Sequence, residues 1–191
     1  MTKPTLTKIN NYITSHFNHC KDTQHDLHHV LRVTQNALKI AKIVDVNHQI
    51  DLNLLKATCL LHDLTYLKYQ TGIFTYLFEG LLVRKPLKRA FRQLSIAKED
   101  RLIIFNAVIK HPYSFPFKRL RPQEDLYTQV LQDADTLDIF IEFRKQTLIQ
   151  LKKNTFLYKP LKRPAEKLFI YGKNNLANFL NYPQILTYFY D

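Results

Sequence analysis

The chain has 191 residues with 28 Lys and Arg against 16 Asp and Glu, a formal net charge of +12 and a pI near 9.7. That length fits a single domain able to bury a core without disulfides, and the charge favours anionic partners: nucleotides, nucleic acid or an acidic membrane surface. Three glycines and no obvious hairpin dipeptide argue against a sheet-rich fold and against a glycine-rich phosphate loop.

Leu6, Ile9, Ile13 and Phe17 recur at spacings of three and four, which predicts a first helix with one apolar face. Val30 to Val44 continues that periodicity as a second, longer helix ending near Asp45 to Asn47. Asp51 is placed to cap a third, whose run Leu52, Leu54, Leu55, Thr58, Leu61 ends in His62-Asp63. Residues 64 to 95, aromatic and then basic, read as mostly helix with loops. Leu102 to Ile109 form a helix closed by His111, because Pro112 disfavours helical geometry before it. Pro112 to Glu124 reads as loop, and a long helix follows from Leu126 to Leu151. The tail carries Pro160, Pro164 and Gly172 and then a last apolar run from Leu176 to Tyr190. The expected fold class is all-α. Cys59, inside an apolar run, reads as a buried free thiol, which with Cys20 suits a reducing cytoplasm. Neither a secretory leader nor a membrane span is legible, so a soluble cytoplasmic protein is expected.

Three separated segments offer imidazoles and carboxylates: His25-Asp26-Leu27-His28-His29-Val30-Leu31-Arg32-Val33, then His62-Asp63, then Asp133-Ala134-Asp135. These are the groups from which a divalent-metal hydrolytic site is built. His29 and Arg32 are three apart, so an imidazole and a permanent cation share one helix face, a geometry suited to phosphate. His62 and Asp63 sit at a helix end, where both side chains can turn toward one ion. Asp133 and Asp135 are two apart on a helix and cannot easily face one point, so only one should be a ligand. Two imidazole nitrogens and two carboxylate oxygens leave room for waters or a phosphate oxygen, which suits Mn²⁺, Mg²⁺, Co²⁺ or Ni²⁺ better than a closed zinc site.

At these residues the chain resembles the HD-domain superfamily of metal-dependent phosphohydrolases. Its pattern is matched by His29 to Val33 (H-x-x-R-V), by Leu60-Leu61-His62-Asp63 (L-L-H-D) and by Ala134-Asp135-Thr136-Leu137 (A-D-x-L). Small bacterial members with H-D-x-x-H-x-x-R-V and D-A-D-x-L-D are matched by His25 to Val33 and Asp133 to Asp138. The likeness covers roughly residues 20 to 145, so the expected organisation is one HD-type domain over 1–191 with a helical C-terminal extension from 146.

The resemblance implies one divalent ion held by His29, His62, Asp63 and Asp135, with Asp133 in reserve. Asp63 and Arg32 are the catalytic candidates. Arg32, His111, His25 and a cation of the basic segment, Lys88 or Arg89, are the substrate contacts, and for His111 a substrate phosphate is expected ahead of a second metal. His16, His19, His28 and His48 have no family position and read as surface residues. Many family members carry an acidic residue about one turn after the doublet; here Leu64-Thr65-Tyr66-Leu67 follows, with no carboxylate. The expected activity is hydrolysis of a nucleotide phosphate ester or anhydride, as a nucleoside triphosphate pyrophosphohydrolase or nucleotidase. The alternatives are a cyclic-dinucleotide or alarmone hydrolase and, from another class, a nucleotide- or nucleic-acid-binding protein with a vestigial metal site. A homodimer is left open.

Overall fold

The computed structural model describes residues 1–20, 22, 24–113, 125–140 and 162–189. The described residues form helices and turns with no strand: α1 (Lys3–Phe17), α2 (Leu27–Val44), α3 (Leu52–Leu61), α4 (Ile73–Leu82), α5 (Arg84–Leu94), α6 (Lys98–Lys110), α7 (Leu126–Ile139) and α8 (Lys162–Asn174). Short 3₁₀ turns follow α3 (Leu64–Leu67), α6 (His111–Tyr113) and α8 (Leu176–Phe179, Pro183–Tyr188). The protein is all-α, as its periodicity predicts.

α3 lies at the centre because Leu54, Leu55 and every residue from Ala57 to Leu61 are buried, leaving only its first turn and Lys56 toward the surface. Leu54, Ala57, Leu60 and Leu61 face one core with Ile9 and Ile13 of α1, Leu87 of α5 and Ile104 of α6. Leu55 and Cys59 face a second core with Val33 and Ile40 of α2 and Val130 and Leu131 of α7. Leu176, Phe179, Leu180 and Ile185 of the tail close that second core. Cys20 and Cys59 are both free thiols.

Caps set the helix starts. Asp26 accepts from the His29 N–H at 2.8 Å and starts α2 at Leu27, three residues before the apolar run begins. Asp51 caps α3 by accepting from Asn53 and Leu54 N–H. Asp125 caps α7 through Thr128. α7 ends at Ile139, short of the expected run to Leu151, because Phe140 leaves helical geometry at φ −95°, ψ 2°. Ile141, Leu148 and Leu151 lie outside the described residues, as does the expected loop beyond Tyr113 up to Glu124.

Candidate metal centre

Four helix segments bring the centre together. His29 enters from the first turn of α2 and Asp135 from α7, which pack on one another. His62 is the last residue in helical geometry after α3, and Asp63 departs from it at φ −97°, ψ 21°, so neighbours in sequence turn toward one point. His111 closes α6 as expected, although Pro112 does not push it out of helical geometry: its dihedrals stay at φ −59°, ψ −32° and lead into the 3₁₀ turn His111–Tyr113.

Each imidazole is anchored through Nδ1. His29 donates to Oδ2 of Asp138 at 2.7 Å, His62 to the Cys59 carbonyl at 2.6 Å and His111 to the Val108 carbonyl at 2.6 Å. A carboxylate and a carbonyl only accept, so in each neutral ring the proton sits on Nδ1 and Nε2 offers a lone pair inward. Those lone pairs meet other acceptors. Nε2 of His29 is 3.0 Å from Oδ2 of Asp63 and 3.5 Å from Oδ1 of Asp135, and Nε2 of His62 is 3.3 Å from the same Asp63 oxygen.

Nε2 of His29, Nε2 of His62 and Oδ2 of Asp63 are buried without a hydrogen bond. Buried acceptors crowded together are costly unless positive charge is placed among them, as a proton on an imidazole or as a shared cation. His29, His62 and Asp135 present donor atoms within 4.8 Å of one another, as do His62, Asp63 and His111. Nitrogen and carboxylate oxygen donors in this number fit a divalent ion. Electrostatics agrees. Burial opposes the charged form of His62, but the Asp63 and Asp135 carboxylates outweigh it and push its pKa up to about 9. Burial likewise opposes the Asp63 carboxylate, yet the His62, His25 and His29 imidazoles hold it well below the usual range. Positive charge is what this centre is built to receive.

Of the two aspartates, Asp135 faces the centre and Asp133 does not. Asp133 is fully buried and accepts from the Asn181 N–H at 2.7 Å, the Asn181 side chain at 3.0 Å and the Tyr182 N–H at 2.8 Å, tying the tail to α7.

A model of the HD domain family matches residues 26–139 of this sequence, more than half of the chain. The chain belongs to the HD-domain family. That HD-domain match spans all four elements of the centre, and the family is one of metal-dependent phosphohydrolases in general. No curated protein and no solved structure matches the chain.

Around the HD-domain donors lie residues that sequence reasoning missed. Asp138, fully buried, accepts from His29 and also from Nε and Nη2 of Arg32 at 2.6 and 3.1 Å. Arg32 is therefore held in a fork beside His29. Glu79 of α4 is buried, with Oε2 accepting from the Tyr66 hydroxyl at 3.1 Å and Oε1 lying 3.5 Å from Nε2 of His111 without a hydrogen bond. Burial opposes a proton on His111, but Glu79 outweighs it and raises the pKa. Burial pushes the Tyr66 phenol up, so it remains a donor. A carboxylate thus stands near the doublet although none follows it in sequence. Its signal was available: Glu79 is the only acidic residue between Asp63 and Glu99.

His25 stacks on Tyr66 at 3.6 Å, with its Nδ1 near Thr71 and Asp22. Its ring stands edge-on to His29 at 5.5 Å, at the border of the centre. Lys88 and Arg89 are exposed on α5; Lys88 lines an open surface groove with Phe91, Arg92 and Arg101, and neither belongs to the donor groups. His16, His19, His28 and His48 are all exposed.

Proposed function

We propose that the protein hydrolyses a phosphate ester or anhydride of a nucleotide, using a divalent ion held by His29, His62, Asp63 and Asp135. The observation that carries this reading is the convergence of inward-facing nitrogen and oxygen atoms, with Nε2 of His29, Nε2 of His62 and Oδ2 of Asp63 buried without a hydrogen bond beside Asp135. A divalent ion there supplies Lewis acidity and lowers the pKa of water. The chain's own residues do the rest. Asp138 fixes the His29 tautomer and aims the Arg32 guanidinium, which binds a phosphate oxygen and opposes the charge that develops on it. Glu79, kept in place by Tyr66, holds or moves a proton at Oε1 next to His111. His25, on Tyr66, borders the substrate entrance. The net charge of +12 supports a polyanionic substrate.

A second reading is favoured by one observation: His62, Asp63 and His111 form a further donor group, and the unbonded Oε1 of Glu79 adjoins it. On that reading His111 and Glu79 hold a second ion rather than contact substrate.

Elemental analysis of the purified protein, joined to a phosphate-release screen over nucleotides with Mn²⁺, Mg²⁺, Co²⁺ and Ni²⁺, tests both. One ion per chain supports the first reading and two the second. His62→Ala and Asp63→Ala are expected to lose metal and phosphate release while circular dichroism remains helical. Unchanged turnover in either variant would refute the proposal.

A further inference from the structure

Helices α4 and α5 are one screw. Val83 between them has helical dihedrals, φ −68°, ψ −22°. Its N–H donates to the Glu79 carbonyl, and its carbonyl accepts from the Leu87 N–H, both at 2.9 Å. The backbone ladder is interrupted at this junction, where α4 ends at Leu82, α5 begins at Arg84 and Pro86 has no N–H to give, but the helical dihedrals run through it. With about 3.6 residues per turn carried through the junction, Glu79, Val83, Leu87, Ala90, Phe91 and Leu94 fall on one side. All of these are buried.

The opposite side changes character along its length. In its first half it shows Phe74, Leu77, Phe78 and Leu81, which are 79%, 55%, 49% and 57% exposed. These sit at i, i+3, i+4 and i+7, an unbroken apolar stripe of the kind monomeric proteins seldom leave in water. In its second half it shows Arg84, Lys85, Lys88, Arg89 and Arg92, all exposed. No ion pair among the described residues engages these five cations. The only acidic residue of the two helices, Glu79, is buried on the other side, and of the five cations Lys88 shares a groove with an exposed carboxylate, Glu99 of α6, itself flanked there by Lys98 and Arg101.

We propose that this face docks the protein on an anionic membrane surface. Phe74, Leu77, Phe78 and Leu81 would enter the boundary between headgroups and acyl chains, while the five cations contact anionic headgroups beside them. Charge selects this occupant over a second copy of the chain. A two-fold contact through the apolar stripe would bring two sets of five cations toward one another, whereas an anionic surface meets the stripe and the cations together. The mode is peripheral, since no helix among the described residues is long and apolar enough to cross a membrane. The proposal does not rest on the metal centre, which faces the other side of α4 through Glu79.

Co-sedimentation of the full chain with vesicles tests it. Vesicles of phosphatidylcholine with about a third phosphatidylglycerol are expected to pellet the protein at low salt, and pure phosphatidylcholine vesicles far less. Phe74→Ser with Leu81→Ser is expected to weaken partition about tenfold or more at unchanged thermal stability, because both side chains leave water on docking. Lys88→Gln with Arg92→Gln should also weaken it about tenfold and flatten its salt dependence. Three results would overturn the proposal: no binding to the anionic vesicles; binding by Phe74→Ser/Leu81→Ser equal to the parent, which would leave only diffuse basic attraction; or a dimer in sedimentation velocity that the same pair of substitutions dissociates.

Discussion

Asp138→Asn isolates the part of the site that no metal donor reports. The wild-type carboxylate accepts from His29 at 2.7 Å and from Arg32 at 2.6 and 3.1 Å, and is fully buried. Asparagine keeps the volume and one acceptor oxygen. If that oxygen takes the His29 N–H, the amide NH₂ is turned toward the Arg32 guanidinium, donor against donor. The loss is then a charge-assisted fork worth about 1.5–3 kcal/mol, reduced toward the lower end because the Arg32 side chain is about a quarter exposed. The thermal midpoint should fall modestly and the fold should survive. The larger effect is on the ion. A carboxylate behind a metal-binding imidazole fixes its tautomer and raises its basicity, and losing such a partner typically costs about 10–100-fold in affinity. Calorimetric titration of chelator-stripped protein with Mn²⁺ should therefore show binding weaker by about 10–100-fold, with one site still present. An unchanged affinity would mean that Asp138 serves only Arg32 and that the inward lone pair of His29 does not bind the ion.

Three further outcomes separate roles that sequence motifs conflate. Asp133→Ala strands the Asn181 and Tyr182 N–H groups, so it should destabilise the fold by about 2–5 kcal/mol in denaturant melts at unchanged metal content, whereas Asp135→Ala should do the reverse. Glu79→Gln keeps the Tyr66 contact but not the charge, and phosphate release should drop on the order of 10²–10⁴-fold with the fold retained; full activity would remove Glu79 from the mechanism. Burial pushes the Asp22 carboxyl up, but His25 and the Thr71 N–H and hydroxyl outweigh it and hold it well below the usual carboxylate range. A depressed folded pKa stabilises above the unfolded value of about 3.9 and that stability is lost as pH falls through the folded value, so Asp22→Asn should flatten the acid limb of a melting-temperature profile.

The helices were legible where one face alternates with solvent, as in α1 and α2. α3 revealed less, because a mostly apolar run reads as a helix without saying that it divides two cores. The HD doublet, His29 and Asp135 were legible as an ordered pattern. Their spacing said that only one of Asp133 and Asp135 should be a ligand and the resemblance to the family pointed to Asp135, but the reason for Asp133 required the tail, 48 residues away, to fold back onto α7. Glu79 stood out in the sequence only as the one acidic residue between Asp63 and Glu99; its position in the site was illegible for a related reason. Its place beside His111 depends on how closely α4 lies on α6, and at Gly80 an added Cβ would stand 2.4 Å from the Ile109 carbonyl. Only glycine permits that approach, and nothing in the local pattern announces it.

The anchoring of the three histidines follows one rule that explains why Asp138 exists. The last carbonyls of a helix lack intrahelical partners, so a histidine at a helix C-terminus finds an acceptor three residues back at no further cost. His62 takes the Cys59 carbonyl and His111 the Val108 carbonyl in this way. His29 stands in the first turn of α2, where N–H groups rather than carbonyls are unpaired. Its Nδ1 has no local acceptor, so the carboxylate must come from another helix, and α7 supplies it one turn beyond Asp135. The D-x-x-D spacing of Asp135 and Asp138 thus does two tasks on one helix face: the first residue points a donor oxygen at the centre, and the second holds the imidazole that points another. A metal-facing histidine at a helix start therefore demands a carboxylate from a distant helix, whereas one at a helix end does not, and this asymmetry is why α7 carries two aspartates toward the centre while α3 and α6 need no such support.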